Sequence, residues 1–365
     1  MNIAIMGLRG IPAKYGGFET FVEELAPRLT EKGHAVTVYG RSNIIDSRER
    51  YYRGVRIVIL PTISQKYLDT VFHTFLCVLH ALFRKYEIVF IVNAANSIFS
   101  FLPRLTGKRV VVNVDGIERK RKKWSLIGKL WYLSGEIFSV IFPNKIVADA
   151  RTIQDYYRKR YRKESTFIPY GADTTKVSSE EILERLGIQK RGYILYVSRL
   201  EPENNAHIVI QAFEKVKTDK ILVIVGDAPY AQKYIQSLKH TKDGRIVFPG
   251  YIFGKEYKEL QSHAYCYVHA TEVGGTHPAL IEAMGFGNCV IANETPENIE
   301  VLGGCGFSYK KNDIKDLREK ISYVLNNPRI VEEFGKKART RIDQYYSWNS
   351  IANSYERLFK SLAGK

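Results

Sequence analysis

Apolar residues in this chain come in short unbroken runs rather than in strict alternation with polar ones. NIAIMG, AVTVYG, RIVIL, EIVFIV, RVVVNV and KIVADA lie in the first half, and YILYVS, KILVIVG, RIVFPG, YCYVHA and NCVIA in the second. Such a run predicts a strand covered on both faces. Longer stretches with helical spacing separate the runs, and strand–helix–strand order predicts parallel sheets flanked by helices. The turn-rich stretch FIPYGADTT (167–175) breaks this rhythm and marks a hinge. A chain of 365 residues also exceeds the usual reach of one core. We therefore expect two doubly wound domains, residues 1–168 and 169–345, with residues 346–365 adding a terminal helix. Ligands of such sheets bind outside the carboxyl ends of the strands, so a cleft between the two sets of loops is the expected site.

Those strand-end loops hold the distinctive residues. GLRGIPAKYGGFET (7–20) joins the first strand to the first helix and contains Gly16, Gly17 and Glu19. Glycine lets a backbone approach a ligand closely, and the new helix presents free N–H groups to an anion. In YILYVSRLEPENN, Arg199 stands just past a strand end, where a guanidinium clamps phosphate oxygens or simply forms a surface salt bridge. Gly226 and Asp227 follow another strand, and Pro249, Gly250 and Tyr251 a third. HATEVGGTHPALIEAMGFG (269–287) is the most informative stretch. Gly274 and Gly275 follow a strand, Pro278 suits a first helical position, and Glu282 comes one turn later, about 5.4 Å along. This spacing fits a nucleoside diphosphate, with phosphates on the helix N-terminus and ribose hydroxyls on Glu282. In the first half, VVVNVDGIERKRKKW puts Asp115 at a strand end. Asp115 either orients or deprotonates a hydroxyl or forms the turn before Gly116, with Glu118 as the second candidate.

Charge narrows the partners. Lys and Arg number 55 against 38 Asp and Glu, a formal net charge of +17 with a pI near 9.5, which favours nucleic acid, anionic lipid or a phosphorylated substrate. The densest basic run, RKRKKW (119–124), abuts an apolar, aromatic stretch containing Trp131, which suits an anionic bilayer surface as well as a solvated loop. No apolar run reaches membrane-spanning length uncharged; residues 124–142 are interrupted by Lys129 and Glu136. The segment 67–83 reads as a core helix. Cys77, Cys266, Cys289 and Cys305 show neither CxxC nor zinc spacing, which suits thiols in a reducing cytoplasm. The chain opens on a strand with no leader pattern, so no signal peptide is expected.

Taken in order, GLRGIPAKYGGFET, FIPYGAD, SRLEPENN, IVGDAP, FPGYI, GGTHPALIEAMGFG and YYSWNSIANSYERLF resemble the GT-B glycosyltransferases of family 4 over essentially the whole chain. The first and sixth are similar to a bacterial subgroup assigned to rhamnosyl or related sugar transfer in polysaccharide assembly. The resemblance implies an α/β GT-B fold, two Rossmann-like doubly wound domains facing a central cleft. It implies retaining transfer from a nucleotide sugar, with rhamnose from dTDP-rhamnose as the expected donor. No metal and no cofactor is implied, since the nucleotide sugar is a substrate. Gly16 and Gly17 would lie against the donor diphosphate and sugar, Arg199 would hold the phosphates, and Glu282 the ribose. Gly250, Tyr251, Gly275, Thr276, His277 and Pro278 would complete the donor site, Asp115 would serve the acceptor, and the helix around Trp348 would cross back to the first domain.

Two positions depart from the family pattern. Asn204 stands at the donor where most members have a lysine shortly after the arginine. Gly274 stands where they have a glutamate with seven residues between it and Glu282, and Glu272 lies two residues early. The resemblance further implies a lipid-linked saccharide acceptor and a cytoplasmic protein peripheral at the inner face of the cell membrane. Arg119, Lys120, Arg121, Lys122, Lys123, Trp124 and Trp131 would then form the membrane or acceptor patch.

Other classes fit less well. A nicotinamide-dependent oxidoreductase would carry G-x-G-x-x-G after its first strand, and this chain does not. A nucleic-acid partner is suggested by charge alone, without a recognition motif. A UDP-hexose donor, a sugar-nucleotide epimerase or a phosphorylase on the same fold remain alternatives.

Overall fold

The computed structural model describes residues 1–365 apart from 14, 15, 47, 49, 66, 67, 122, 123 and 230. The unbroken apolar runs fold as buried strands. In the first sheet these are β1 (Asn2–Met6), β2 (Ala35–Arg41), β3 (Tyr51–Tyr52), β4 (Val55–Leu60), β5 (Ile88–Val92), β6 (Arg109–Val114), β7 (Lys145–Ala148) and β8 (Thr166–Phe167). The second sheet holds β9 (Tyr193–Val197), β10 (Ile221–Val225), β11 (Ile246–Gly250), β12 (Cys266–His269), β13 (Cys289–Asn293) and β14 (Phe307–Tyr309).

The strand orders are β3-β4-β2-β1-β5-β6-β7-β8 and β11-β10-β9-β12-β13-β14. Every pairing is parallel except the β3–β4 hairpin. Each sheet thus contains the doubly wound order 3-2-1-4-5-6, and each has a switch point where that order reverses, at β1/β5 in the first and β9/β12 in the second. The residues after those strands are the ones the fold offers to a ligand.

Two compact units result, residues 1–170 with 348–365, and residues 171–347. Their joins fall two residues beyond the 168/169 and 345/346 divisions expected from sequence. The Ala172 N–H donates to the Tyr346 carbonyl, and Ala172 bridges Ser347, so both strands of the crossing stay in the second unit. The helix Trp348–Ala363 belongs to the first unit. Its Tyr355 and Phe359 pack on Phe90, Tyr355 also meets Phe21, and the Tyr355 hydroxyl accepts from Asn113 at 3.1 Å. Its Glu356 bonds His34 at 3.1 Å.

Residues 69–82 form a helix that buries Cys77, Val78 and Ala81, as a core helix should. All four cysteines are free. Among the described residues no helix is long and apolar enough to cross a membrane.

Candidate functional site

In the first unit the loop after β1 is held by the helix that follows it. Glu19, in the first turn of the helix Gly17–Glu31, accepts the Arg9 backbone N–H at 2.9 Å and lies 3.6 Å from its guanidinium. Glu23, one turn on, accepts the Ala13 N–H at 3.2 Å and the Tyr52 hydroxyl at 2.7 Å. Gly16 has φ +105°, and a Cβ there would lie 2.2 Å from Glu19 Oε2. Gly16 therefore makes room for the carboxylate that fastens the loop, and Gly17 opens the helix.

Asp115 follows β6 and lines a shallow pocket with Phe18, Asn93, Glu118, Tyr132 and Glu136 among its walls. Parallel register pairs Val114 with Ala148, which sets Asp115 beside Asp149, the fully buried residue after β7. Burial pushes the Asp115 carboxyl above the ordinary carboxylate range, and the charge of Glu118 pushes it further. The Gly116 backbone, the Arg121 charge and a hydrogen bond with Asp149 pull it partly back. A carboxyl so tuned, on a pocket wall, can position a hydroxyl or take its proton. Asp149 was not singled out in the sequence, although KIVADA ends its strand with an acid just as RVVVNVD does.

The basic run after Asp115 divides between structure and surface. Arg119 bonds Glu136 at 2.9 Å and the Tyr156 hydroxyl at 2.7 Å; Arg121 is buried and bonds Glu118 at 2.6 Å. Both cations serve the pocket wall, because a buried carboxylate needs a partner. Lys120 is exposed, and Lys122 and Lys123 lie outside the described residues. Trp124 is half-buried, donates to Glu118 at 3.3 Å and packs on Tyr132; Trp131 is half-buried. The apolar surface lies on the outer face of the helix Leu126–Ile141, where Leu126 is 74% and Ile127 81% exposed, with Leu130, Ile137 and Ile141 beside them. Phe101 and Leu105 add to the exposed apolar residues, and Phe101 packs on Phe142 directly after that helix.

In the second unit, Arg199 follows β9, and the 270–277 loop follows β12, its neighbour across the switch point. Arg199 is half-exposed, 3.9 Å from Glu201. Asn204 turns inward at 4% exposure, donating to the Arg199 carbonyl at 2.6 Å, while the Tyr196 hydroxyl donates to the Asn204 carbonyl. Asn204 thus shapes the loop that carries Arg199. Gly226 has φ +136°, and a Cβ there would fall 1.8 Å from the Ser198 carbonyl oxygen, so only glycine fits. Gly250 closes β11 and accepts the Gly226 N–H at 2.8 Å; Tyr251 stacks on Phe253 and donates to the Asp227 carbonyl.

Gly275 and Thr276 are buried, His277 caps the helix Pro278–Gly285, and Pro278 is its first residue. Proline costs nothing there; the Leu280 N–H turns back to the His277 carbonyl at 3.0 Å, and the helix dipole leaves this end partially positive. Glu282 is half-buried and accepts the Tyr257 hydroxyl at 2.6 Å; Gln261 donates to Tyr257 at 2.9 Å, and Asn288 to Gln261. This chain fixes the carboxylate's direction. Tyr257 lies 25 residues upstream on the helix Gly254–His263 and carried no motif signal. Glu272 accepts from Asn312 at 2.6 Å and is tied to a buried amide cluster with Asn205 and Asn293. Among the described residues no group of three or more His, Cys, Asp and Glu side chains is placed to hold a metal ion.

Two family models match the chain, one to each unit. Residues 15–176 match the model described as Glycosyltransferase Family 4, and residues 178–341 the model for glycosyl transferases group 1. An uncharacterized glycosyltransferase of Methanocaldococcus jannaschii is 20% identical, with 95% of each chain covered. The O-antigen chain mannosyltransferase B of Escherichia coli is 22% identical over 50% of this chain and 49% of its own. Among solved structures, Anabaena HepE in complex with UDP superposes with a TM-score of 0.78 at 16% identity, covering 99% of this chain and 100% of its own.

Proposed function

We propose that this chain, a glycosyltransferase of the GT-B fold assembled from a family 4 domain and a group 1 domain, transfers rhamnose from dTDP-rhamnose to a lipid-linked saccharide during polysaccharide synthesis. The observation that carries the reading is the second unit's switch point. Arg199 follows one strand there, a proline-led helix N-terminus follows its neighbour, and Glu282, held by Tyr257, stands one turn into that helix. Guanidinium and helix N-terminus together suit a diphosphate, and the fixed carboxylate suits ribose hydroxyls.

In the retaining scheme, the acceptor hydroxyl attacks the anomeric carbon from the leaving-group side. The new glycosidic C–O bond forms as the anomeric C–O bond to the diphosphate breaks, and the hydroxyl proton passes to the departing phosphate oxygen. Arg199 and the helix N-terminus stabilise the charge that develops on that diphosphate. Asp115 orients the acceptor in the first unit's pocket. The scheme uses no protein nucleophile, no fixed metal and no cofactor. A cytoplasmic site at the inner membrane face fits a lipid-linked acceptor, with the outer face of the helix Leu126–Ile141 and Lys120 as the docking surface. The polysaccharide role of the E. coli relative supports the product class.

The test is transfer from dTDP-rhamnose, UDP-glucose, UDP-N-acetylglucosamine and GDP-mannose to lipid-linked acceptors, with product anomers read by NMR. Transfer from dTDP-rhamnose with retention supports the reading. Transfer confined to a UDP or GDP sugar overturns the donor, and an inverted anomer overturns the mechanism. UDP in the HepE complex favours a UDP-hexose as the second reading.

A further inference from the structure

The chain's positive charge is not shared between its two units. Residues 1–170 with 348–365 hold 31 Lys and Arg against 15 Asp and Glu, a net +16, whereas residues 171–347 hold 24 against 23, a net +1. A donor diphosphate brings its charge to the second unit, so it does not account for the excess on the first. In the run 119–123, Arg119 and Arg121 are bonded within the unit. A second run consists of Arg158, Lys159, Arg160, Arg162 and Lys163.

The helix Arg151–Tyr161 carries this second run to its end. Its inner face is aromatic. Tyr157 is buried and lines the Asp115 pocket; Tyr156 and Tyr161 donate at 2.7 and 3.0 Å to Glu136, another wall of that pocket. The outer side is cationic, with Arg158, Lys159, Arg160 and Arg162 all exposed. The two basic runs meet around Glu136, because Arg119 bonds both Glu136 and Tyr156 while Arg160 bonds the Tyr161 hydroxyl at 3.3 Å. The carboxylates of residues 151–164 are Asp155, paired with Arg158 at 2.6 Å, and Glu164. Cations in a last turn favour the helix dipole, but Arg162 and Lys163 carry the run beyond the helix end.

Resting on the proposed acceptor pocket, we propose that this cationic surface holds a saccharide chain bearing carboxylate or phosphate groups, with the reacting sugar in the pocket. The acids around Asp115 repel anions from the pocket itself, so the negative charge belongs to the units behind the reacting sugar. Pocket wall and cations share one helix, which puts both within reach of one chain. A bilayer is gripped by apolar side chains as well as by charge, and residues 151–163 expose no large apolar side chain, unlike the helix Leu126–Ile141. Single-stranded nucleic acid is held by stacking on aromatic rings, and here Tyr156, Tyr157 and Tyr161 are committed to the pocket wall.

The experiment compares wild type with a quadruple variant (Arg158→Gln, Lys159→Gln, Arg160→Gln, Arg162→Gln) and a triple variant that keeps the charge (Arg158→Lys, Arg160→Lys, Arg162→Lys), each checked for folding by thermal melt. Calorimetry titrates oligogalacturonate, phosphomannan fragments, a neutral dextran oligosaccharide, an oligodeoxythymidine of matched charge, dTDP and UDP. Sedimentation reads binding to phosphatidylcholine–phosphatidylglycerol vesicles. Wild type should bind at least one of the two acidic saccharides, less tightly as salt rises, and dextran at least about tenfold more weakly. The glutamine variant should lose that binding by roughly tenfold or more, and the lysine variant should keep it within about threefold. Nucleotide and vesicle binding should not change in either variant. The proposal is overturned if wild type binds neither acidic saccharide, if the glutamine variant binds as wild type does, or if oligodeoxythymidine binds more tightly than both saccharides. Loss of vesicle binding in step with saccharide binding assigns the run to the membrane and overturns it as well. These outcomes leave the proposed function standing as long as wild type binds dTDP or UDP; binding of neither nucleotide refutes that function separately.

Discussion

The two units share a strand order and differ in everything attached to it. At the carboxyl ends of the second sheet stand Arg199, a helix N-terminus and buried amides, with the nearby carboxylates Glu272 and Glu282 each held by a neutral partner. Around the corresponding ends of the first sheet, Asp115, Asp149, Glu118 and Glu136 crowd one region, and burial raises the Asp115 pKa. In the proposed function the second sheet's ends receive an anion and the first sheet's a neutral, hydroxyl-bearing group. The comparison teaches that the sheet decides where ligands go and the loops decide which ligands they are.

Substituting the acid should break the comparison on one side. Asp115→Asn keeps the size of the side chain and removes its basicity. With Asp115 orienting the acceptor through a charged hydrogen bond, transfer should fall by roughly 10–150-fold, read as kcat with saturating donor.

On the other side, Arg199→Ala removes a charge-assisted contact. Nucleotide affinity should weaken by about 1.5–3 kcal/mol by calorimetry. Tyr257→Phe removes only the bond that steers Glu282, so its effect should be smaller, about 0.5–1.5 kcal/mol in the same titration.

The first unit's exposed apolar helix face sharpens the comparison further, because it gathers Leu126, Ile127 and Leu130 on one outer surface. Liposome sedimentation should show binding that rises with anionic lipid and falls with salt. Changing Leu126, Ile127 and Leu130 to serine should weaken that binding more than changing Arg119 and Arg121, whose charges are engaged inside the unit. Equal binding by the leucine and isoleucine variant would remove this face from the account.

The smallest expected effect is a shift in pH dependence. Asp115 must be ionised to accept a hydrogen bond from the acceptor's hydroxyl and orient it, so activity should rise with pH through a pKa above the ordinary carboxylate value of about 3.9. Glu118 raises that pKa, and it also pairs with Arg121, whose charge lowers it. Glu118→Gln removes the first influence and strengthens the second, so the acid limb of the kcat/KM profile should move to lower pH.

The strands were legible because burial on both faces leaves an unbroken apolar signature, as in β5 and β6. The strands β3, β8 and β14 were not, since two or three residues are too few to carry a pattern. The loops at the ends of β1 and β12 and the helix start at Pro278 were legible through glycine, proline and a one-turn spacing that local geometry imposes. Their supports were not. Tyr257 reaches Glu282 from another helix, Asp149 reaches Asp115 through strand register, and Asn204 turns inward to hold a carbonyl. In the basic run, Glu118 stands directly before the five cations and pairs with Arg121 three residues on, whereas Glu136 reaches Arg119 only through folding. Composition measures charge; tertiary structure decides which charges remain for a partner.

The central claim is that nucleotide binding belongs to the second unit and acceptor chemistry to the first. A crossed calorimetric titration of dTDP and UDP into wild type, Asp115→Asn and Arg199→Ala tests it most directly. Wild type and Asp115→Asn should bind the preferred nucleotide equally, with Arg199→Ala at least about tenfold weaker. Equal weakening in both variants, or unchanged affinity in Arg199→Ala, would contradict it.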